Sequence, residues 1–278
     1  MTDWGRGSYE LTASQLVPVA DQVIDSAEPV NGLRLLDIAC GTGNASLIAA
    51  RRGASVVGLD TSPRLLAVAS ERAAQEGLEI DWIEADMAEL PFPEHSFDLV
   101  TSVFGTIFGD PHQIAAEIGR VLYPSGRLAI SSWVREGPME RVGKLAQRHI
   151  SAALSQGDGD VSVDPEPDED LPGAASADPA GESFDWGDPE QLRELFAGHG
   201  ISVHSEKHRM PFVSASPEAQ NDEWFDHHPM WLATKKLIGE EAYAELRSES
   251  LSLLHEVNED SSAMRFTSSW LRTNGSPV

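Results

Sequence analysis

Between residues 33 and 134 the chain alternates short, continuously apolar runs with amphipathic segments, and this rhythm restricts the possible folds more than any other feature. The runs are LRLLDIA (33–39), ASVVGLD (54–60), LEIDWIEAD (78–86), FDLVTSVFG (97–105) and RLAISSW (127–133). A strand wetted on one face would alternate apolar with polar; a run apolar throughout needs cover on both faces. Strands of that kind separated by helices predict an α/β protein with a doubly wound parallel sheet. Helix starts fall where that reading needs them. Ser62-Pro63 and Asp110-Pro111 each supply an N-cap with proline at the first helical position. Behind them Leu65, Leu66, Ala69 and Ala73, then Ile114, Ile118 and Val121 to Leu122, repeat at helical spacing. Pro124-Ser125-Gly126 reads as a turn.

Outside this region, residues 10–28 read as one leading helix and 135–155 as another. Residues 157–183 are poor in large apolar side chains and rich in Pro, Gly and acid, which predicts an acidic flexible loop. Asp188-Pro189 opens a helix that ends near 198–200, 201–213 alternate like a strand, Ser216-Pro217 opens a helical region through 254, and 262–275 read as the last strand. The expected divisions are an N-terminal helix and flap (1–30), a core (31–134), a helix with the acidic loop (135–187), and a segment that completes the sheet (188–278) around a helical lid insert (214–260).

Composition removes several function classes. With 278 residues the chain can bury a sizeable core without disulfides, and its single cysteine, Cys40, makes neither a disulfide framework nor a cysteine zinc cluster. The first residues lack a basic and an apolar signal region, and no apolar run reaches the roughly 18 residues of a membrane span. A cytoplasmic protein without a membrane partner is the expectation. Lys and Arg number 20 against 45 Asp and Glu, a formal charge of −25. Such a field repels phosphate backbones and speaks against nucleic-acid partners.

The chemistry gathers in DIACGTGN (37–44), where a strand turns through Gly41 and Gly43 into a helix. Glycines there let the backbone approach a ligand, and the helix start offers N–H groups. Asp60 closes the next strand, where an acid can accept hydrogen bonds from a ribose diol. Asp86 closes the third, with Met87 beside it to hold a base. In a parallel sheet all three points lie at the carboxyl edge, near the topological switch point. A dinucleotide fingerprint would place a third glycine where Ser46 stands. An adenosyl ligand without phosphates asks less of the helix, and a cation such as a sulfonium tolerates the acids.

Taken in order, LLDIACGTGN, VVGLD, IEADMAELPFPEHSFDLVTSVFG and EIGRVLYPSGRLAISSW resemble the motifs of the class I S-adenosylmethionine-dependent methyltransferases, most nearly their type 11 small-molecule branch. The resemblance covers about 31–134 well and 185–213 loosely. It implies a Rossmann-like seven-stranded, mostly parallel sheet with an antiparallel last strand and helical lid inserts. It also implies S-adenosyl-L-methionine as cofactor and S-adenosyl-L-homocysteine as product. By matching position Asp37, Ala39, Cys40, Gly41 and Gly43 would surround the methionine moiety. Asp60 and Thr61 would hold the ribose, Asp86 and Met87 the adenine, and Val103 and Phe104 would face the sulfonium. Cys40 itself reads as packing rather than a nucleophile.

Acceptor specificity in such folds comes from inserts and ends. WGRGSY (4–9) supplies Trp4, Arg6 and Tyr9 as a possible flap; EWFDHHPMW (223–231) supplies Trp224 and Trp231; Trp133 ends the core. Methyl transfer needs a base only for an acceptor that starts protonated, and His112, His227 and His228 are the candidates. No metal site is expected. The leading reading is in-line methyl transfer to O, N or C of a small metabolite, by a monomer or homodimer. The alternatives are a cofactor-binding protein of the same fold that acts as a cyclase or lyase, a dinucleotide oxidoreductase, which Ser46 opposes, and a non-catalytic interaction protein.

Overall fold

The computed structural model describes residues 3–156 and 184–278, so the expected loop at 157–183 lies outside the described residues. The chain forms α1 (Glu10–Gln15), α2 (Val17–Ser26), β1 (Arg34–Ile38), α3 (Asn44–Arg51), β2 (Ser55–Asp60), α4 (Pro63–Gln75), β3 (Asp81–Glu84), β4 (Phe97–Val103), a 3-10 turn (Thr106–Phe108), α5 (Pro111–Val121) and β5 (Leu122–Trp133). After these come α6 (Gly137–Gln156), α7 (Pro189–Gly198), β6 (Ile201–Ser214), α8 (Pro217–His227), α9 (Pro229–Val257) and β7 (Met264–Pro277). One seven-stranded sheet runs in the order β3-β2-β1-β4-β5-β7-β6. Pairs β3–β2, β2–β1, β1–β4 and β4–β5 are parallel, and β7 lies antiparallel to β5. The order reverses between β1 and β4, so the switch point lies at the carboxyl ends of these two strands.

The caps read from the sequence are present. Ser62 Oγ accepts from Leu65 N, Asp110 from Gln113 N, Asp188 from Glu190 N and Ser216 from Ala219 N, each with proline opening the helix. Leu36, Ile38, Val57, Leu59, Val100, Leu128 and Ile130 are buried in one cluster with Ile114, Ile118 and Phe196.

Four expectations need correction. The leading helix is two, because Pro18 has no N–H to continue the ladder and α2 restarts with it in its first turn. The third strand spans only 81–84. Residues 124–126 form no separate turn: β5 starts at Leu122, paired with Phe97, and the register then shifts so that Leu99 meets Arg127. The exposed Pro124 and Ser125 are absorbed in that irregularity. The helical region after Ser216 is interrupted twice. His228 is extended (φ −80, ψ 127) because Pro229 follows it, and Gly239 takes φ 83, a conformation that ends the first half of α9.

The described residues divide into two compact units. The first holds 3–12, 135–156 and 209–269, mainly α6, α8 and α9; the second holds 13–134, 184–208 and 270–278. The N-terminal segment is thus grouped with the helical insert, and β6 and β7 each contribute to both units.

Candidate functional site at the switch point

The second unit carries the glycine turn. After Ile38 the chain passes through Ala39 (φ 50), Gly41 (φ 55) and Gly43 (φ 81) into α3. Across the switch point Phe104, just past β4, also has positive φ (59). Left-handed non-glycine residues cost on the order of 1–3 kcal/mol each and persist where the surroundings force them. Here the two strained turns are pressed together: a Cβ on Gly105 would lie 2.4 Å from Ala39 Cβ. Gly43 has the same closeness on its other side, since a Cβ there would be 2.8 Å from Trp82 Cη2 and 3.1 Å from Ala69 Cβ.

Asp60 joins the β1 and β2 turns. Its Oδ2 accepts from Gly41 N (2.8 Å) and its Oδ1 from Ser62 N (2.9 Å). Burial raises its pKa, and the backbone donors from Ser62, Gly41 and Thr61 act against that rise. A carboxylate has about four lone-pair positions, so room is left for a hydroxyl of a ligand. Thr61 is exposed beside it.

Asp37 has a different position from the one its motif suggests. It is 1% exposed, with Oδ2 accepting from Ser46 N (3.0 Å) and Ser46 Oγ (2.6 Å) and Oδ1 from Thr101 Oγ1 (3.2 Å). The carboxylate thus ties β1, α3 and β4 together behind the turn. Ser46, which the sequence offered only as a missing glycine, supplies two of the three donors. Burial raises the Asp37 pKa to about 6, with the hydrogen bonds from Ser46 and Thr101 opposing. The folded chain therefore holds this proton more tightly than the unfolded chain, so stability from Asp37 is lowest above pH 6 and recovers as pH falls towards 3.8. The full swing is on the order of 3 kcal/mol. Denaturant midpoints of the wild type and Asp37→Asn between pH 4.5 and 7.5 should therefore diverge, the wild type gaining on the variant as pH falls. A pH-independent difference would refute the assignment.

Two further residues were not singled out by the sequence. Trp82 covers the turn from β3. Arg72, half-buried on α4, donates from Nη1 to Thr42 O (2.6 Å), Thr42 Oγ1 (3.1 Å) and Asn44 Oδ1 (2.9 Å). Arg72→Ala should leave the fold intact by circular dichroism and weaken nucleoside binding at the turn about tenfold, the loss of roughly one charge-assisted hydrogen bond; calorimetric affinity equal to wild type would show the clamp to be idle.

The remaining predicted residues are placed as follows. Cys40 is partly buried, and burial pushes its thiol pKa up, with Asp37 and Asp60 adding to the rise, so it stays protonated at neutral pH. Asp86 is exposed and accepts from Ala88 N (2.8 Å). Met87 belongs to the buried cluster, its Cε 3.0 Å from a Cβ placed on Gly109. Phe104 stacks on Trp133 at 3.8 Å and 6°, with Trp270 edge-on at 6.3 Å; Val103 is half-buried before it. His112 has its ring 6.0 Å from that of His199.

In the first unit the two aromatic segments meet. Ser8 N donates to His227 O (2.8 Å), and the rings of Trp4, Tyr9 and His228 contact one another edge-on at 5.4–6.0 Å. Trp231 stacks on Phe225 (4.7 Å) and lies 6.3 Å from Trp224. Arg6 pairs with Asp3. His228 Nδ1 accepts from Met230 N (3.3 Å), which leaves the ring proton on Nε2, and burial lowers its pKa to about 4. It is therefore a neutral donor at pH 7 and poorly suited to act as a base. His227 is exposed. Among the described residues no group of three or more His, Cys, Asp or Glu could hold a metal, and no helix is long and apolar enough to cross a membrane.

A Rossmann-like sheet with a glycine turn, a strand-ending acid and paired strained turns at the switch point defines a nucleoside-binding α/β protein. Residues 36–130 match the family described as a methyltransferase domain. The chain is 36% identical over 176 residues to the demethylmenaquinone methyltransferase of Thermus thermophilus, a match covering 62% of this chain and 76% of that protein. It is 40% identical over 136 residues to an uncharacterised protein of Mycobacterium tuberculosis, covering 48% and 50%; the match spans about half the length of such mycobacterial relatives. Its fold is similar to that of the YcgJ protein of Bacillus subtilis, with TM-score 0.60, 19% identity and coverage of 92% and 96%. The chain belongs to the class I S-adenosylmethionine-dependent methyltransferases.

Proposed function

We propose that the chain transfers the methyl group of S-adenosyl-L-methionine to O, N or C of a small metabolite and releases S-adenosyl-L-homocysteine. The observation that carries this reading is the pair of strained turns, Ala39–Gly43 and Phe104–Gly105, closed on each other at the switch point beside Asp60. The residues present suit the cofactor. The turn brings bare backbone to the ligand, Asp60 retains lone pairs for a ribose hydroxyl, and Asp37, Asp60 and Asp86 give a negative field that favours a sulfonium. When bound, the cofactor supplies an activated methyl carbon. The chain's task is then alignment and exclusion of water, which can contribute several kcal/mol. Gly41 and Gly43 set the backbone around the methionine end, Asp60 with Thr61 orients the ribose, and Asp86 takes the adenine edge. Val103 and Phe104, braced by Trp133, wall the methyl side. Its apolar character suits an uncharged acceptor and supports methylation of a small organic molecule. The Thermus relative's name, a demethylmenaquinone methyltransferase, fits the same class.

The test is titration calorimetry with S-adenosyl-L-homocysteine, NADH as control, followed by an acceptor screen with labelled methyl donor. Micromolar binding of the first, none of the second, and label in a small product is the expected result. Binding with no methylated product from any acceptor would favour a cyclase or lyase instead. Failure to bind S-adenosyl-L-homocysteine would overturn the proposal.

A further inference from the structure

Within the second unit, two helix ends bring a pair of histidines together at the surface. Asp110 caps α5 and Pro111 opens it, so His112 falls in its first turn. α7 ends at Gly198, and His199 is its C-cap, with its N donating to Phe196 O (3.1 Å). Both helices are anchored in one buried cluster: Ile114, Ala115 and Ile118 of α5 and Leu192, Leu195 and Phe196 of α7 are each at most 5% exposed. Gly119 lets the end of α7 come close to α5, since a Cβ there would lie 3.1 Å from His199 O. Packed helices therefore set both side chains. The ring centres are 6.0 Å apart and the ring planes are tilted by 57°. His112 is exposed and His199 half-buried, so solvent reaches the pair. Among the described residues neither ring has a hydrogen-bond or ion-pair partner.

We propose that His112 and His199 chelate one divalent transition-metal ion, with water completing its coordination. A zinc–nitrogen bond is about 2.0–2.1 Å and a ring nitrogen lies about 1.1 Å from its ring centre, so two imidazoles on one tetrahedral ion have centres about 5 Å apart. The pair is about 1 Å wider than that, a gap that small rotations close because the histidine χ2 torsion is broad. Ligation needs neutral imidazole. Burial, and then the neighbouring His112, lowers the His199 pKa, so this ring is neutral at pH 7 with a lone pair to give. Imidazole suits zinc, copper and nickel, whereas magnesium and calcium prefer oxygen ligands. The chain's formal charge of −25 favours any cation at its surface. An ion held here ties the end of α7 to the start of α5, which follows directly on the turn at Thr106–Phe108 beyond Phe104 and Gly105. The site stands apart from the methyl-transfer reading and does not depend on it.

The experiment uses the full chain with carbon-13-labelled histidine, titrated at neutral pH with zinc chloride, and with magnesium chloride as control. The ring signals of His112 and His199 are identified by their loss in His112→Ala and His199→Ala. The expected result is that zinc moves both signals along one shared saturation curve and magnesium moves neither. Each single variant should weaken zinc at the remaining ring at least tenfold, with helix content unchanged by circular dichroism. No saturable shift, different curves for the two rings, an equal response to magnesium, or unchanged zinc affinity at His199 in a folded His112→Ala protein would overturn it. S-adenosyl-L-homocysteine binding is read separately in zinc-free samples, so a failure there bears only on the methyl-transfer proposal.

Discussion

Gly43→Val is expected to weaken S-adenosyl-L-homocysteine binding at least a hundredfold, about 2.7 kcal/mol, and to lower the unfolding free energy by about 2–4 kcal/mol. Two effects combine. Valine at φ 81 is forced into a conformation that β-branched residues avoid. Its Cβ would also overlap Trp82 at 2.8 Å and crowd Ala69 at 3.1 Å, with two further carbons beyond. The Trp82 ring rests on both Gly43 and Gly58, whose Cβ position lies 2.3 Å from its Cζ3, so the ring or the turn must shift to admit the new side chain. The strain of the positive φ falls on the turn in either case, and with it on Gly43 N, which donates to Cys40 O (2.9 Å). Calorimetry and urea titration check both parts. Gly43→Ala should show the same pattern at smaller size, and a valine variant that folds and binds like the wild type would remove the turn from the site.

Asp60→Ala has the second large effect. It deprives Gly41 N and Ser62 N of a charged acceptor, and hydrogen bonds to charged groups contribute about 1.5–3 kcal/mol each. Water replaces part of that loss, so a stability decrease of about 2–4 kcal/mol is expected. Affinity for S-adenosyl-L-homocysteine should fall 10- to 100-fold, about 1.4–2.7 kcal/mol. A structural effect on the turn alone is separated from ribose recognition by a second ligand lacking the 2′ and 3′ hydroxyls. The wild type should prefer the natural ligand strongly, and Asp60→Ala should bind the two alike. If the variant still discriminates between them as the wild type does, Asp60 does not hold the ribose.

Local chemistry in the chain was enough to settle the α/β architecture. Continuous apolar runs demand a sheet covered on both faces, and Ser62, Asp110, Asp188 and Ser216, each before a proline, fix helix starts through contacts spanning at most three residues. The glycine turn and Asp60 were visible for the same reason, since their positions follow from strand ends. What the sequence could not show were partners brought together from afar. Ser46 seemed a lost glycine until β1 and α3 placed its hydroxyl on Asp37. Arg72 was one arginine among many until α4 set it over Thr42 and Asn44. Nothing in the sequence sets Trp82 apart, and only the fold brings its ring over Gly43 and Gly58. The same holds in the helical unit, where WGRGSY meets His227 and His228 across more than 200 residues of sequence. Periodicity and capping are short-range properties of a chain, whereas which buried polar atom meets which depends on packing that only the folded backbone sets.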